Sequence, residues 1–159
     1  MDQVTLVRDI MTSDVLTTTP ETSVLDVARI FAEKKFNGLP VVDKENRLIG
    51  LVTEYNLITA ETLLHLPTLE KISKSAESPL KDLEYLSAQV KKTTELKVNE
   101  IMEKDPITLL FDDTFEKALE VLNQHHRVNP IPVVDKENKL VGVVSRYDLL
   151  KLLKLFGHT

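Results

Sequence analysis

Cysteine is missing from all 159 positions, which removes disulfides, thiolate nucleophiles and cysteine-based zinc sites from consideration. Long apolar runs are missing too: none approaches the roughly 18 residues that a membrane span needs. The opening MDQVTLVRDIM has neither a basic n-region nor an apolar h-region, so no cleaved secretion signal is expected. Together these absences predict a soluble, cytoplasmic protein with no membrane partner. An excess of positive charge is also lacking. The formal net charge of -5 opposes nucleic acid as a partner, because affinity for a duplex comes largely from neutralised phosphates. HExxH, CxxC, GxSxG, Walker and GxGxxG patterns do not occur, so no catalytic residue and no metal site is expected. His125 and His126 are neighbours, and neighbours on a helix do not face each other; His65 and His158 stand alone.

What the chain does have is an internal repeat. The heptapeptide PVVDKEN occurs at Pro40 to Asn46 and again at Pro132 to Asn138. The match extends outward, pairing VRDIMTSDVLT (Val7 to Thr17) with VNEIMEKDPIT (Val98 to Thr108). It also pairs PVVDKENRLIGLVTEYNLI (Pro40 to Ile58) with PVVDKENKLVGVVSRYDLL (Pro132 to Leu150). The offset is 91 residues at Val98 and 92 at Pro132, so the second copy has gained one residue, near Asn129 and Pro130.

Both copies carry the same order of elements. Short β-type runs at Leu16 to Thr18 and Ile107 to Leu109 precede helical patterns at Ser23 to Lys35 and Thr114 to His126, where apolar residues recur at three- and four-residue spacings. Thr22 is the expected cap of the first helix, and Asp113 with Glu116 reads as a capping box on the second. Asn37-Gly38 reads as a helix C-cap. Apolar runs at Leu39 to Val42 and Leu48 to Val52, and at Ile131 to Val134 and Leu140 to Val144, flank DKEN turns and predict two β-hairpins with solvated tips. Closing helices start at Glu54 and Arg146. The leucines of the tail LLKLLKLF are expected to close a core or a dimer interface rather than meet a membrane.

A β-α-β-β-α unit of about 50 residues is near the lower size limit for an independent domain. The fold class predicted is therefore α+β: two repeats, 1–58 and 98–159, packed about a pseudo-twofold axis. A helical insert at 59–97 separates them, with Leu63, Leu64, Leu66, Leu69, Ile72, Leu80, Leu83, Leu86 and Val90 as its apolar positions.

The V-x-x-I-M entry, the G-L-P-V-V-D or P-I-P-V-V-D strand, and the exits at Gly50 to Asn56 and Gly142 to Asp148, all present twice and in order, resemble a tandem pair of CBS domains, often called a Bateman module. The resemblance implies a non-catalytic regulatory module that binds an adenosine-containing ligand, such as AMP, ADP, ATP or S-adenosylmethionine, in clefts between the repeats. No cofactor is required; the nucleotide is a regulatory ligand.

SRYD, Ser145 to Asp148, is the strongest local signal. A helix start favours phosphate, a carboxylate one turn in can accept hydrogen bonds from two vicinal ribose hydroxyls, and Arg146 adds a positive charge. The same four residues also read as a capping box. The resemblance implies that each cleft combines one repeat's exit with the other's first strand and pre-strand loop. Ser145, Arg146 and Asp148 would thus face Thr17, Thr18 and the loop Phe36, Asn37, Gly38, Leu39 and Pro40. The second, weaker cleft would combine Thr53 and Asn56 with Thr108 and Arg127, Val128, Asn129 and Ile131. There Asn56 replaces the ribose acid, Glu54 brings a negative charge, and the extra residue falls in the loop expected to hold the base, so one competent site, around Asp148, is expected. The reading is a sensor that transmits occupancy to an unidentified protein partner, through the insert and through homodimerisation. Its rivals are an S-adenosylmethionine sensor and a structural dimerisation module without ligand.

Overall fold

Two antiparallel β-hairpins, each running into a helix, form the frame of the protein. The computed structural model describes residues 5–59, 95–126 and 128–156, with side chains as far as Lys151. The insert positions from Leu63 to Val90, Arg127 and the side chains of Leu152, Leu153 and Leu155 lie outside the described residues; of the other tail leucines, Leu149 packs on the second core and Leu150 is exposed.

In the first repeat, β1 (Gly38–Val42) pairs with β2 (Leu48–Thr53), and α3 (Glu54–Thr59) follows directly. In the second, β4 (Ile131–Val134) pairs with β5 (Leu140–Val144), and α6 (Arg146–Phe156) follows. The registers are equivalent, Val41 opposite Gly50 and Val133 opposite Gly142, with a bulge one residue later in both. These strands are apolar along nearly their whole length because both faces are covered: all of β1 and all of β4 are buried.

The strand expected before the first helix is smaller than its apolar run suggests. In the first repeat it is one bridge, with the Thr18 N–H donating to the Pro40 carbonyl and the Thr18 carbonyl accepting from Val42. In the second it is β3 (Leu109–Leu110), parallel to β4. The repeats' long helices are α2 (Val24–Lys34) and α5 (Phe115–Gln124). Both caps fall one residue later than the sequence suggests: Ser23 accepts from the Leu25 N–H, and Thr114 from the Lys117 N–H. Thr22 instead meets Thr19, and Asp113 accepts from the Leu110 N–H and from Lys117 Nζ. The left-handed residue that ends α2 is Lys35 (φ 56°), not Asn37 or Gly38.

The entry segments form short helices, α1 (Val7–Ile10) and α4 (Val98–Ile101), and each belongs to the other repeat's core. Val7, Ile10 and Met11 pack with Leu109, Ala118, Leu122, Ile131, Val133 and Val144. Leu96, Val98, Ile101 and Met102 pack with Val24, Val27, Phe31, Leu39, Val41 and Val52. Backbone bridges fix the exchange, Thr12 to Val143 and Glu103 to Leu51. Gly142 and Gly50 make room for it: a Cβ there would lie 2.6 Å from the sulfur of Met11 and of Met102, and 3.0 or 2.9 Å from the backbone carbonyls of Thr12 and Glu103.

The DKEN turns do more than face water. Asn46 and Asn138 both adopt φ 62°, a conformation asparagine tolerates. Asn46 Nδ2 donates to the Leu140 carbonyl and Asn138 Nδ2 to the Leu48 carbonyl; the Leu48 and Leu140 N–H groups donate back to the carbonyls of Asn138 and Asn46. Beneath this clasp Val42, Leu48, Val134 and Leu140 form a third apolar cluster, flanked by Val15. The heptapeptide is duplicated in sequence and pairs with its own copy in space.

Candidate functional site

The exchange of entry segments leaves two clefts related by the pseudo-twofold axis, one at each strand-to-helix junction. One cleft, about 340 Å³ in volume, opens at the start of α6. Its floor is the Asp148 carboxylate, only 4% exposed. Oδ2 accepts from the Ser145 N–H (2.8 Å) and hydroxyl (2.6 Å), and the Asp148 N–H approaches Ser145 Oγ at 3.3 Å, so the capping box is formed. Oδ1 accepts from the Thr12 hydroxyl (3.1 Å) and from Lys151 Nζ (3.0 Å). Burial alone would push this carboxyl's pKa up; the bonds from Ser145, Lys151 and Thr12 outweigh it and hold the group below its ordinary value. The cleft therefore holds a buried, charged carboxylate.

Of the residues expected around Asp148, Ser145, Phe36, Asn37, Gly38, Leu39 and Pro40 line the cleft. Thr17 and Thr18 do not; Thr18 is turned into the protein by its pairing with β1, and its buried hydroxyl has no partner among the described residues. In their place stand Thr12, Asp14, Val15 and Leu16. Arg146 is also outside the lining. Its guanidinium donates to the His126 carbonyl and its N–H to Asn129 Oδ1 (3.2 Å). Among the described residues the cation in the lining is Lys35, whose backbone is left-handed at the end of α2.

The second cleft, about 420 Å³, has Thr53, Asn56 and Val128 in its wall as expected, with Leu51, Tyr55, Glu103, Asp105, Pro106 and Ile107. Asn56 Oδ1 accepts from the Thr53 N–H (2.8 Å) and hydroxyl (2.7 Å), repeating the Asp148 cap without its charge. Thr108 is not in the lining, and Ile131 is wholly buried in the second core. Asn129, expected here, lies instead with Pro130 in the wall of the Asp148 cleft. Glu54 is drawn aside to Asn37 Nδ2 (3.0 Å), so the acids of this cleft are Glu103 and Asp105.

Both clefts miss expectation in the same direction: the contributing segment lies earlier in the chain, 14–16 where Thr17 and Thr18 were expected and 105–107 where Thr108 was expected. Asp14, Val15 and Leu16 align with Asp105, Pro106 and Ile107 in the repeat, and that alignment was the available signal. No cluster of three or more histidine or carboxylate groups able to hold a metal occurs among the described residues, and no helix of the described residues is long and apolar enough to cross a membrane.

The CBS-domain family model matches residues 7–62 and 98–155. The protein MJ1426 of Methanocaldococcus jannaschii is 28% identical over 158 residues, covering 95% of this chain and 92% of that one. The solved structure of CBSX2 of Arabidopsis thaliana in complex with AMP is 28% identical with a TM-score of 0.70, covering 97% of this chain and 99% of that one. A homoserine O-acetyltransferase of Methanohalobium evestigatum is 30% identical across 96% of this chain, which spans 25% of that longer protein.

Proposed function

The chain belongs to the CBS-domain family and carries two copies of the domain, and on that premise we propose that its Asp148 cleft binds an adenine nucleotide, AMP, ADP or ATP, as a regulatory ligand. The observation that carries the reading is the Asp148 carboxylate, charged although buried, with one oxygen committed to the helix cap and the other held by Thr12 and Lys151. Thr12 supplies a hydroxyl where a ribose hydroxyl would bind, so a ribose diol replaces it like for like at Oδ1. Phe36, Leu39 and Pro40 form an apolar wall for the base. The AMP complex of CBSX2 supports this class of ligand.

The second cleft has the opposite character. It offers an amide in place of the acid, and Glu103 and Asp105 oppose a phosphate; it is assigned no nucleotide. Because the Asp148 cleft is built from both repeats, a ligand there favours one relative arrangement of the two, and the change in population is what a protein partner or a second copy of the chain would read.

The test is calorimetry with AMP, ADP, ATP and S-adenosylmethionine on wild type, Asp148→Ala and Asp148→Asn, the last keeping the cap as Asn56 does. A nucleotide isotherm with one site per chain, weakened at least about tenfold in both variants, is expected from the loss of charge-assisted hydrogen bonds. Absence of any saturable nucleotide signal in folded, ligand-free wild type would sink the proposal; S-adenosylmethionine binding alone would replace the nucleotide with that ligand.

A further inference from the structure

Asn129 belongs to the one-residue expansion that separates the second repeat from the first, and its position gives that expansion a use. It is half-buried in the wall of the Asp148 cleft, contributed by the same repeat as Asp148. Gly38, from the other repeat, is packed so closely against this loop that a Cβ would lie 3.0 Å from Pro130 Cδ and 3.3 Å from the Asn129 carbonyl. The loop is thus wedged between the repeats, and its side chain is oriented by a specific contact. Asn129 Oδ1 accepts from the Arg146 N–H at 3.2 Å. An N–H can donate only to the oxygen of an amide, so the Nδ2 group is fixed on the other branch with two donors. Neither finds a partner among the described residues.

Resting on the nucleotide reading above, we propose that Asn129 is a specificity-determining residue of the Asp148 cleft, its Nδ2 group donating to the phosphate of the bound nucleotide. The position of Asn129 at the start of α6 supports this assignment. The apolar wall for the base is Phe36 and Leu39 on the far repeat, and Asp148 takes the ribose one turn into α6. Asn129 sits beyond Ser145 at the first residue of that helix, where the dipole favours negative charge. Arg146, the cation expected there, is tied to the His126 carbonyl, so the loop amide occupies the place of the first helix N–H and extends its donor capacity outward.

Asn129→Asp separates the two roles of the side chain, since a carboxylate still accepts from the Arg146 N–H but offers no donor. Full-length wild type and N129D are titrated with AMP and with adenosine, at low salt and at about 1 M salt, where the Debye length falls to about 3 Å. The expected result is AMP binding weakened about tenfold or more at both salt concentrations, adenosine binding unchanged, and an unaltered thermal unfolding midpoint. Unchanged AMP affinity, equal losses for AMP and adenosine, or a loss that disappears at high salt each overturn the inference. Wild type that binds neither compound points instead to failure of the nucleotide reading itself.

Discussion

Asp148 places a charge where burial by itself would discharge it, and the cost is met by four donors from three residues. Because its folded pKa lies below the ordinary 3.8, this network contributes its stability in full above that value and loses it as pH falls through the folded pKa. Thermal unfolding of wild type is therefore expected to lose ground to Asp148→Asn as pH falls below about 3.8, so that the gap between the two midpoints narrows on acidification through that range. A gap that stays constant or widens over this range would mean that the carboxylate is not stabilised in the folded state. Asp148 and Ser145 were legible in the sequence because the cap and the candidate site use the same local S-x-x-D spacing. Thr12 and Lys35 were not: Thr12 reaches Asp148 across 136 positions, and Lys35, read as the last residue of a helix, is instead its left-handed cap.

At the level of elements, the hairpins and their closing helices could be read from apolar runs bounded by DKEN turns, since that pattern is local and period-independent. The exchange of α1 and α4 could not, because nothing in a four-residue helix states which of two equivalent cores it will cover. The glycines Gly50 and Gly142 record the exchange indirectly. Their φ angles are not in the left-handed region, so they are required for close approach rather than for conformation. Gly142→Ala would press a methyl group against Met11 and the Thr12 carbonyl. It is expected to cost about 1–3 kcal/mol in denaturant unfolding and, by moving Thr12, to disturb the Asp148 cleft as well. A variant as stable as wild type would show that the entry segment is free to shift.

For the whole molecule, the two halves are joined at the hairpin tips by the reciprocal contacts of Asn46 and Asn138. Glycine at either position keeps the positive φ and removes the amide, so Asn46→Gly and Asn138→Gly should each cost about 1–2 kcal/mol. The double variant should cost less than the sum, because breaking one side loosens the other; strict additivity would mean that the clasp does not couple the repeats. The same mutual dependence bears on how the chain is made. Among the described residues, the first core, with Val24, Phe31 and Val52 already synthesised, lacks part of its cover until Leu96 to Met102 emerge, and Val7 waits for partners as late as Val144. At roughly 5–20 residues per second, an apolar surface leaves the ribosome seconds before the segment that buries it. Burial of each core thereby depends on synthesis of the other repeat, and a chain truncated after its first repeat becomes a substrate for chaperones and proteases.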